Sequence, residues 1–205
     1  MINRRSFLKA GSALAAFPFA LGGFSGTSLA QDGAITDQDR ILGDPEAPIT
    51  IIEYASLTCP HCANFHATAY KDLKKNWIDT GKVRFVYRHM PLDQLATVGS
   101  VAAESLDDDN RFFGLITYLF QTQDTWARSQ NPLEEMKKIA LLAGVSNEQF
   151  DAALKDRELI DRVINQAREG AAAFNVNSTP SFVINGKLYN NMSYEDFNEV
   201  LEDLS

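Results

Sequence analysis

The sequence predicts a strand, a helix and a second strand in succession between residues 49 and 88. This order restricts the possible folds more than any other feature of the sequence. Residues 49–55, Ile-Thr-Ile-Ile-Glu-Tyr-Ala, are mainly apolar and β-branched, which predicts a buried strand. A helix is predicted from about Pro60 to Trp77, because proline suits a first turn and apolar side chains recur on one face. Residues 82–88 alternate in polarity and predict a second strand. Two strands joined in this way are expected to be parallel, with a right-handed crossover.

The rest of the chain predicts a long helical stretch, a hairpin and a last helix. Residues 92–174 have helical patterns throughout, including a capping box that begins at Ser146. Residues 181–189 predict two short strands around Asn185-Gly186, a dipeptide typical of a two-residue hairpin turn. Ser193 is expected to cap the helix that follows the hairpin. The predicted order is therefore β-α-β, a helical insertion, and β-β-α, which is an α/β fold.

This order divides the chain into four parts. Residues 49–91 and 175–205 form the predicted α/β domain, and residues 92–174 form an all-helical insertion within it. Residues 31–48 form an N-terminal lead-in, in which residues 31–40 are polar and expected to be loose and the two prolines of residues 44–48 predict a turn. Residues 1–30 are expected to be removed from the mature protein.

The first 30 residues have the pattern of an export signal. They contain three basic residues and no acidic one, and residues 10–24 form an apolar stretch. Residues 3–9, Asn-Arg-Arg-Ser-Phe-Leu-Lys, resemble a twin-arginine signal, and residues 28–30, Ser-Leu-Ala, form a small-x-small cleavage site. A membrane anchor is the alternative, but the stretch is interrupted by glycine and proline and falls short of the ~20 residues of a span. We therefore expect cleavage near Ala30 and a periplasmic protein.

The composition is that of a globular, acidic protein. Of the 205 residues, 45% are hydrophobic and 22% are charged, and the length suits one domain with an insertion. Such a domain can bury a core without disulfide staples. The formal net charge of -8 argues against non-specific binding to nucleic acid or to anionic membranes. No nucleic-acid partner is expected.

The only cysteines, Cys59 and Cys62, lie where the first strand gives way to the helix. Free backbone N–H groups and the helix macrodipole stabilise a thiolate at a helix N-terminus. Cys59 is expected to be the exposed, attacking thiol at the cap, and Cys62 the partly buried, resolving thiol one turn later. His61, which follows Pro60 between them, can add positive charge or a hydrogen bond near the Cys59 sulfur. The motif predicts a redox-active disulfide.

Two other interpretations compete with this one. A metal carrier could use Cys59, Cys62 and His66, because His66 follows Cys62 by four residues on the same predicted helix. In the redox interpretation, His66 is expected at the surface or half-buried, and His89 at a strand end. A purely structural disulfide would contribute little stability, because it would close only a very short loop.

Three features together resemble the DsbA family of thioredoxin-fold proteins. They are the cysteine motif after a strand, the Thr179-Pro180 dipeptide before a hairpin, and the helical insertion between them. The resemblance spans about residues 41–204 and is nearest to the exported DsbA-like oxidoreductases of α-proteobacteria. It implies a thioredoxin-like fold in which Cys59 is the nucleophile and Cys62 the resolving thiol.

The resemblance also implies roles for three residues outside the motif. Pro180 would follow a cis peptide bond and face the cysteines, and Thr179 would present its backbone to a bound peptide. Glu53, six residues before Cys59, would be a buried carboxylate that passes protons to and from Cys62. The alternative for Glu53 is an ordinary charged strand residue, paired with a lysine.

The function implied by the resemblance is that of a monomeric, exported thiol-disulfide oxidoreductase. It would donate disulfides to substrate proteins with free thiols and be reoxidised by a membrane quinone-linked partner of the DsbB kind, with no cofactor besides its cysteines. A reductase or isomerase of the same fold is the alternative, because the redox potential sets the direction. Some relatives carry a second cysteine pair in the insertion. This chain has none there.

Overall fold

The structure is a computed structural model that describes residues 35–205, so the predicted signal and its cleavage site lie outside the described residues. The described chain forms a five-stranded sheet with the strand order β1-β3-β2-β4-β5. The strands are β1 (Arg40–Leu42), β2 (Ile49–Ala55), β3 (Val83–His89), β4 (Ser181–Ile184) and β5 (Lys187–Asn190).

Helices surround this sheet. They are α1 (Pro60–Ala67), α2 (Ala69–Leu73), α3 (Gln94–Glu104), α4 (Asp109–Gln121), α5 (Gln123–Trp126), α6 (Pro132–Leu142), α7 (Asn147–Ala153), α8 (Arg157–Phe174) and α9 (Tyr194–Asp203), with a π-helical segment at Lys74–Ile78. Between β3 and β4 the described chain is helical, as predicted for the insertion. Across residues 35–205, no helix is both long and apolar enough to span a membrane.

The predicted strand-helix-strand unit is confirmed at the centre of the sheet. Strand β2 has the predicted bounds, is buried along its whole length, and pairs in parallel with β3. On its other side β2 pairs antiparallel with β4. Since side chains alternate along a strand, Ile51 packs in the larger core with α1 and α4, whereas Ile52 and Tyr54 pack in the smaller core with α8. Glu53 therefore shares the face of Ile51.

The hairpin and two helix caps are also confirmed. Asn185 and Gly186 connect β4 to β5 with φ angles of 44° and 85°, the left-handed pair that a two-residue turn of this kind requires. Ser146 and Ser193 each accept a hydrogen bond from the third backbone N–H of their helix, and each is part of a capping box. Local side-chain chemistry accounts for these three features.

The prediction of one continuous helix from Pro60 to Trp77 is wrong. The helix is interrupted at Thr68, whose φ and ψ angles are -119° and -94°. The Thr68 hydroxyl donates a 2.7 Å hydrogen bond to the Asn64 carbonyl, a backbone contact of the kind that bends helices. The chain then continues as α2 and the π-helical segment, which keeps Trp77 buried.

The prediction of a loose lead-in over residues 31–40 is wrong for Asp39 and Arg40. Strand β1 pairs antiparallel with β3, and the carboxylate of Asp39 lies 2.7 Å from the Arg88 guanidinium in the interior. Arg88 also donates a 2.8 Å hydrogen bond to the Tyr54 hydroxyl. A strand of three residues is too short to show a periodic pattern, and the partner of Asp39 is remote in sequence, so neither feature was visible there.

The Asp39–Arg88 pair gives a test of how firmly the lead-in is held. Asp39→Ala removes the carboxylate that offsets a buried guanidinium charge, so we expect a loss of about 3–5 kcal/mol in the free energy of unfolding. Urea unfolding measures this loss. The matched control is Asp124→Ala, which breaks the exposed Asp124–Arg128 pair and should change stability little. An equally small loss of unfolding free energy in both variants would contradict the assignment of Asp39 and Arg88 as a buried, stabilising ion pair.

Candidate active site

The two cysteines lie at the start of α1, directly after the loop that leaves the buried strand β2. Cys59 is the N-cap residue, with an extended backbone, and its carbonyl accepts a 3.2 Å hydrogen bond from the Ala63 N–H. Pro60 occupies the first turn, where its missing N–H leaves no hydrogen bond unmade. The loop is fixed at its start because the Cys59 N–H donates to the Ser56 carbonyl at 3.0 Å.

Gln123 holds the same loop from the helical insertion. Its buried side-chain amide donates to the Leu57 carbonyl at 2.7 Å and to the Cys59 carbonyl at 3.0 Å. Gln123 is not among the site residues predicted from the sequence. A single glutamine in a helical stretch carries no pattern of its own, and only the packing of α5 against the loop reveals its role.

The sulfur atoms are less accessible than the sequence predicted. Cys59 is only 5% exposed rather than open at the cap, and Cys62 is fully buried rather than partly so. Both cysteines are free thiols in this structure. The loop before β4 lies against Cys59, whose thiol donates a 3.3 Å hydrogen bond to the Thr179 carbonyl. Tertiary packing of this loop therefore limits the approach to the sulfur.

The surroundings of Cys59 favour its thiolate. Its pKa is lowered from 9.0 to about 5, chiefly by the hydrogen bond from the Cys62 thiol. The side chain of Thr179 and the backbone N–H groups of Cys62 and His61 lower this pKa further, while burial opposes them. These N–H groups belong to the first turn of α1, so the helix N-terminus acts on the sulfur as the sequence predicted.

Cys62 is affected in the opposite direction. Burial raises the pKa of the Cys62 thiol, and its hydrogen bond to Cys59 and the negative charge of Glu53 raise it further. The pair therefore holds one proton firmly on Cys62 and leaves the charge on Cys59. Chemically, this arrangement provides one nucleophilic sulfur at the start of the helix and one protonated sulfur behind it.

The Thr179–Pro180 peptide bond is cis, as the family resemblance implied. Pro180 is buried and Thr179 is half-buried, and the Thr179 carbonyl lies 3.3 Å from the Cys59 sulfur. The structure thus brings together the helix N-terminus and a loop that follows it by 120 residues in the chain.

Glu53 is completely buried, and its partner is a histidine rather than a lysine. The His66 Nε2 atom lies 2.9 Å and 3.2 Å from the two carboxylate oxygens of Glu53. The expectation that His66 lies at the surface or half-buried is wrong, because His66 is only 1% exposed. The ring of Phe120 from α4 stacks on the His66 ring with centroids 4.3 Å apart, so the helical insertion covers a position that a lone helix would expose.

The remaining candidates have weaker contacts with the sulfurs. The side chain of His61 is exposed, and its backbone N–H is the group that acts on Cys59. His89 ends β3 as expected, 3.3 Å from Glu104. Within residues 35–205, no three histidine, cysteine or acidic side chains are arranged to hold a metal ion. In the alternative metal set of Cys59, Cys62 and His66, the Nε2 atom of His66 contacts Glu53.

The fold and the site together define a class of protein. A parallel β-α-β unit, a following β-hairpin and helix, and a Cys-x-x-Cys pair beside a cis-proline loop are the features of a thioredoxin-fold protein. A family model described as Thioredoxin matches residues 35–203. The chain therefore belongs to the thioredoxin family, and its helical insertion is that of the DsbA-like members.

Individual relatives agree with this assignment. A Rickettsia prowazekii protein, provisionally named a protein-disulfide oxidoreductase, is 31% identical over 168 residues, covering 82% of this chain and 62% of the relative. The crystal structure of alpha-DsbA1 from Wolbachia pipientis is similar with a TM-score of 0.78 and 28% identity, covering 83% of this chain and 92% of that one. BdbD from Bacillus subtilis shares the fold, with a TM-score of 0.73 and 22% identity over 82% of this chain and 92% of that one. The chain thus spans less than two thirds of the length of the Rickettsia relative.

The lowered pKa of Cys59 has a consequence for stability. The thiol of an unfolded chain has a pKa of about 8.5, so the folded thiolate adds stability that is complete above about pH 8.5 and is lost as the pH falls through about 5. The raised pKa of Cys62 acts only above about pH 8.5, where the unfolded thiol ionises. We therefore expect the stability advantage of the reduced protein over its Cys59→Ala variant to grow between these values. Urea unfolding of both proteins across this range measures it, and an advantage independent of pH would contradict the thiolate assignment.

Proposed function

We propose that the protein is an exported thiol-disulfide oxidoreductase that donates disulfide bonds to substrate proteins through Cys59 and Cys62. The observation that carries this proposal is the asymmetry of the pair. Cys59 has an acidic thiol that touches the Thr179 carbonyl, while Cys62 is buried and protonated. A structural disulfide would need no such difference between its sulfurs.

The proposed reaction begins with the oxidised pair. A substrate thiolate attacks the Cys59 sulfur, the Cys59–Cys62 bond breaks, and the Cys62 sulfur leaves with the bonding electrons and takes up a proton. A second thiolate of the substrate then attacks the substrate sulfur of the mixed disulfide and releases Cys59 as a thiolate. The substrate loses two electrons and gains a disulfide, and the protein gains the two electrons.

The direction of exchange follows from which state is stabilised. A low pKa at Cys59 stabilises the reduced protein, makes its disulfide easier to reduce, and therefore favours an oxidant. A reductase or isomerase would favour a less stable thiolate. The equilibrium constant with glutathione distinguishes these alternatives directly, because it measures the redox potential of the pair.

Two further residues have proposed roles in this reaction. Thr179 is proposed to align the substrate chain, because its carbonyl lies 3.3 Å from the attacking sulfur and can accept a hydrogen bond from a peptide N–H. Glu53 is proposed to exchange the proton of Cys62, because it is fully buried and its charge acts on that thiol. Pro180 is proposed to hold the loop that carries Thr179 against the motif.

The cellular setting is also part of the proposal. We propose a periplasmic protein whose residues 1–30 are removed near Ala30, since their pattern is that of an export signal and disulfide donation requires an oxidising compartment. A membrane quinone-linked partner of the DsbB kind would accept the two electrons and regenerate the disulfide. The protein is proposed to act as a monomer on unfolded or partly folded substrates.

Single cysteine variants test the roles of the two sulfurs. Cys62→Ser should accumulate mixed disulfides on Cys59, because no resolving thiol remains, whereas Cys59→Ser should form none. Non-reducing electrophoresis of both variants after incubation with a reduced, unfolded substrate protein and glutathione disulfide measures this difference. Equal trapping by both variants would contradict the assignment of nucleophile and resolving thiol.

His61→Ser tests the contribution of the residue between the cysteines. Loss of its ring should raise the Cys59 pKa and lower the redox potential together, by roughly 30 mV for each pKa unit. Thiolate absorbance against pH and equilibration with glutathione measure the two quantities on one variant. Asn64→Ser, an exposed change on the same helix, is the matched control. An unchanged potential would show that the helix N–H groups tune Cys59 without the His61 ring.

A further inference from the structure

Cys62 needs a path for its proton. Each time the disulfide opens, the Cys62 sulfur must take up a proton, and each time it closes the thiol must release one. The Cys62 side chain has no exposed surface, and Cys59, at 5% exposed, is covered further when a substrate chain lies on it. A proton therefore cannot reach Cys62 by way of the substrate-facing side while the mixed disulfide exists.

Glu53 and His66 form a buried polar contact behind Cys62. The Nε2 atom of His66 is within 3.2 Å of both carboxylate oxygens of Glu53, and both side chains are at most 1% exposed. The other ring nitrogen, Nδ1, is buried and has no hydrogen-bond partner among the described residues. The Nε2 atom thus contacts the carboxylate, while the Nδ1 atom is left to exchange a proton with another group.

A cleft that opens to solvent has His66, but not Glu53, in its wall. It has a volume of about 390 Å³, lies between α2 and α4, and includes His66 and Thr117 in its wall. Lys71 and Gln121 also line it, so its wall is partly polar. Its volume admits several water molecules. Neither cysteine and no residue of the Thr179–Pro180 loop lines the cleft, so a bound substrate would leave it open.

We propose that His66 is a positioning residue that relays protons between the Glu53 carboxylate and water in the cleft between α2 and α4. This inference rests on the proposed function, because it concerns the proton that thiol-disulfide exchange places on Cys62 or removes from it. His66 does not contact the substrate and acts through Glu53.

Disulfide closure moves one proton from Cys62 to solvent. The Cys62 thiol gives its proton to the Glu53 carboxylate, and its sulfur attacks Cys59 in the mixed disulfide. The bond between Cys59 and the partner sulfur breaks, and the partner leaves as a thiolate with the electron pair. Glu53 passes the proton to Nε2 of His66, whose ring carries its own proton on Nδ1 in the reduced protein, and Nδ1 releases that proton to water in the cleft. Opening of the disulfide runs the same steps in reverse.

The other ionisable groups around the pair cannot replace His66 in this role. Tyr70 from α2 and Tyr87 from β3 face it, and burial raises the pKa of both phenols, so they stay neutral. The residues that face it from α4 and β4, Phe120 and Phe182, do not titrate. Further away lie the lysines of the cleft, Lys71 and Lys74, and the His89–Glu104 contact beyond Tyr87.

Reaction of the reduced protein with an aromatic disulfide such as Ellman's reagent separates the two sulfurs. Cys59 attacks first and releases one coloured thiolate, and Cys62 then closes the disulfide and releases a second. Stopped-flow absorbance records both phases across pH in wild type, His66→Gln and Glu53→Gln. The proposed function requires both phases in wild type, and their absence would contradict that function rather than the relay.

We expect His66→Gln to leave the first phase unchanged and to slow the second on the order of a hundredfold, the scale of general acid-base catalysis. The rate of its second phase should rise in proportion to hydroxide concentration, because water must now take the proton from the buried pair. The double variant His66→Gln/Glu53→Gln should have a second phase only slightly slower than that of the slower single variant, because both residues act on one proton path. A second phase with the wild-type pH profile, slowed or not, would overturn the relay, because packing alone would leave that profile unchanged.

A second variant leaves both members of the pair in place. Gly114 lies in the wall of the cleft on α4, and a Cβ atom there would meet no atom within 4 Å. Gly114→Leu should therefore fold, narrow the cleft and slow the second phase severalfold. Ala67→Leu, an exposed change on α1 outside the cleft, is the matched control. Equal rates for the two leucine variants would overturn the cleft as the proton route.

Discussion

The negative charge on the Cys59 sulfur, held almost entirely out of water, is the interaction on which the arrangement of the site depends. Burial of a charge is costly unless hydrogen bonds offset it. Here the Cys62 thiol, the first N–H groups of α1 and the side chain of Thr179 supply them. These donors come from different parts of the chain. The thiol comes from the next turn of the helix, the N–H groups from the helix terminus, and the Thr179 side chain from a loop remote in sequence.

The central strand β2 is what allows these groups to meet. Its carboxyl end delivers the chain to the helix that carries Cys59, and its antiparallel pairing with β4 brings Thr179 to the same edge of the sheet. Alternation along β2 directs Glu53 toward the helix that carries Cys62. A one-residue shift of the strand register would place Glu53 on the opposite face, so the register of β2 is itself a condition of the chemistry.

The helical insertion contributes directly to the site. Gln123 of α5 fixes the carbonyl groups that precede the helix, and Phe120 of α4 stacks on the histidine that contacts Glu53. The resemblance to alpha-DsbA1 of Wolbachia pipientis spans this insertion as well as the sheet. The insertion therefore covers polar groups behind the cysteines, and the cleft beside α4 has one of them, His66, in its wall.

The sequence by itself determined the elements whose signals are local. The buried strand Ile49–Ala55, the Asn185-Gly186 turn and the position of Cys59 at a helix start follow from propensity and spacing, and family resemblance supplied the cis bond before Pro180. Only the tertiary structure decided how deeply each side chain is buried. His66 was expected near the surface and Gln123 was not considered, because their partners lie on elements that are adjacent only after folding. Burial depends on neighbours from distant parts of the chain, and no short sequence pattern records them.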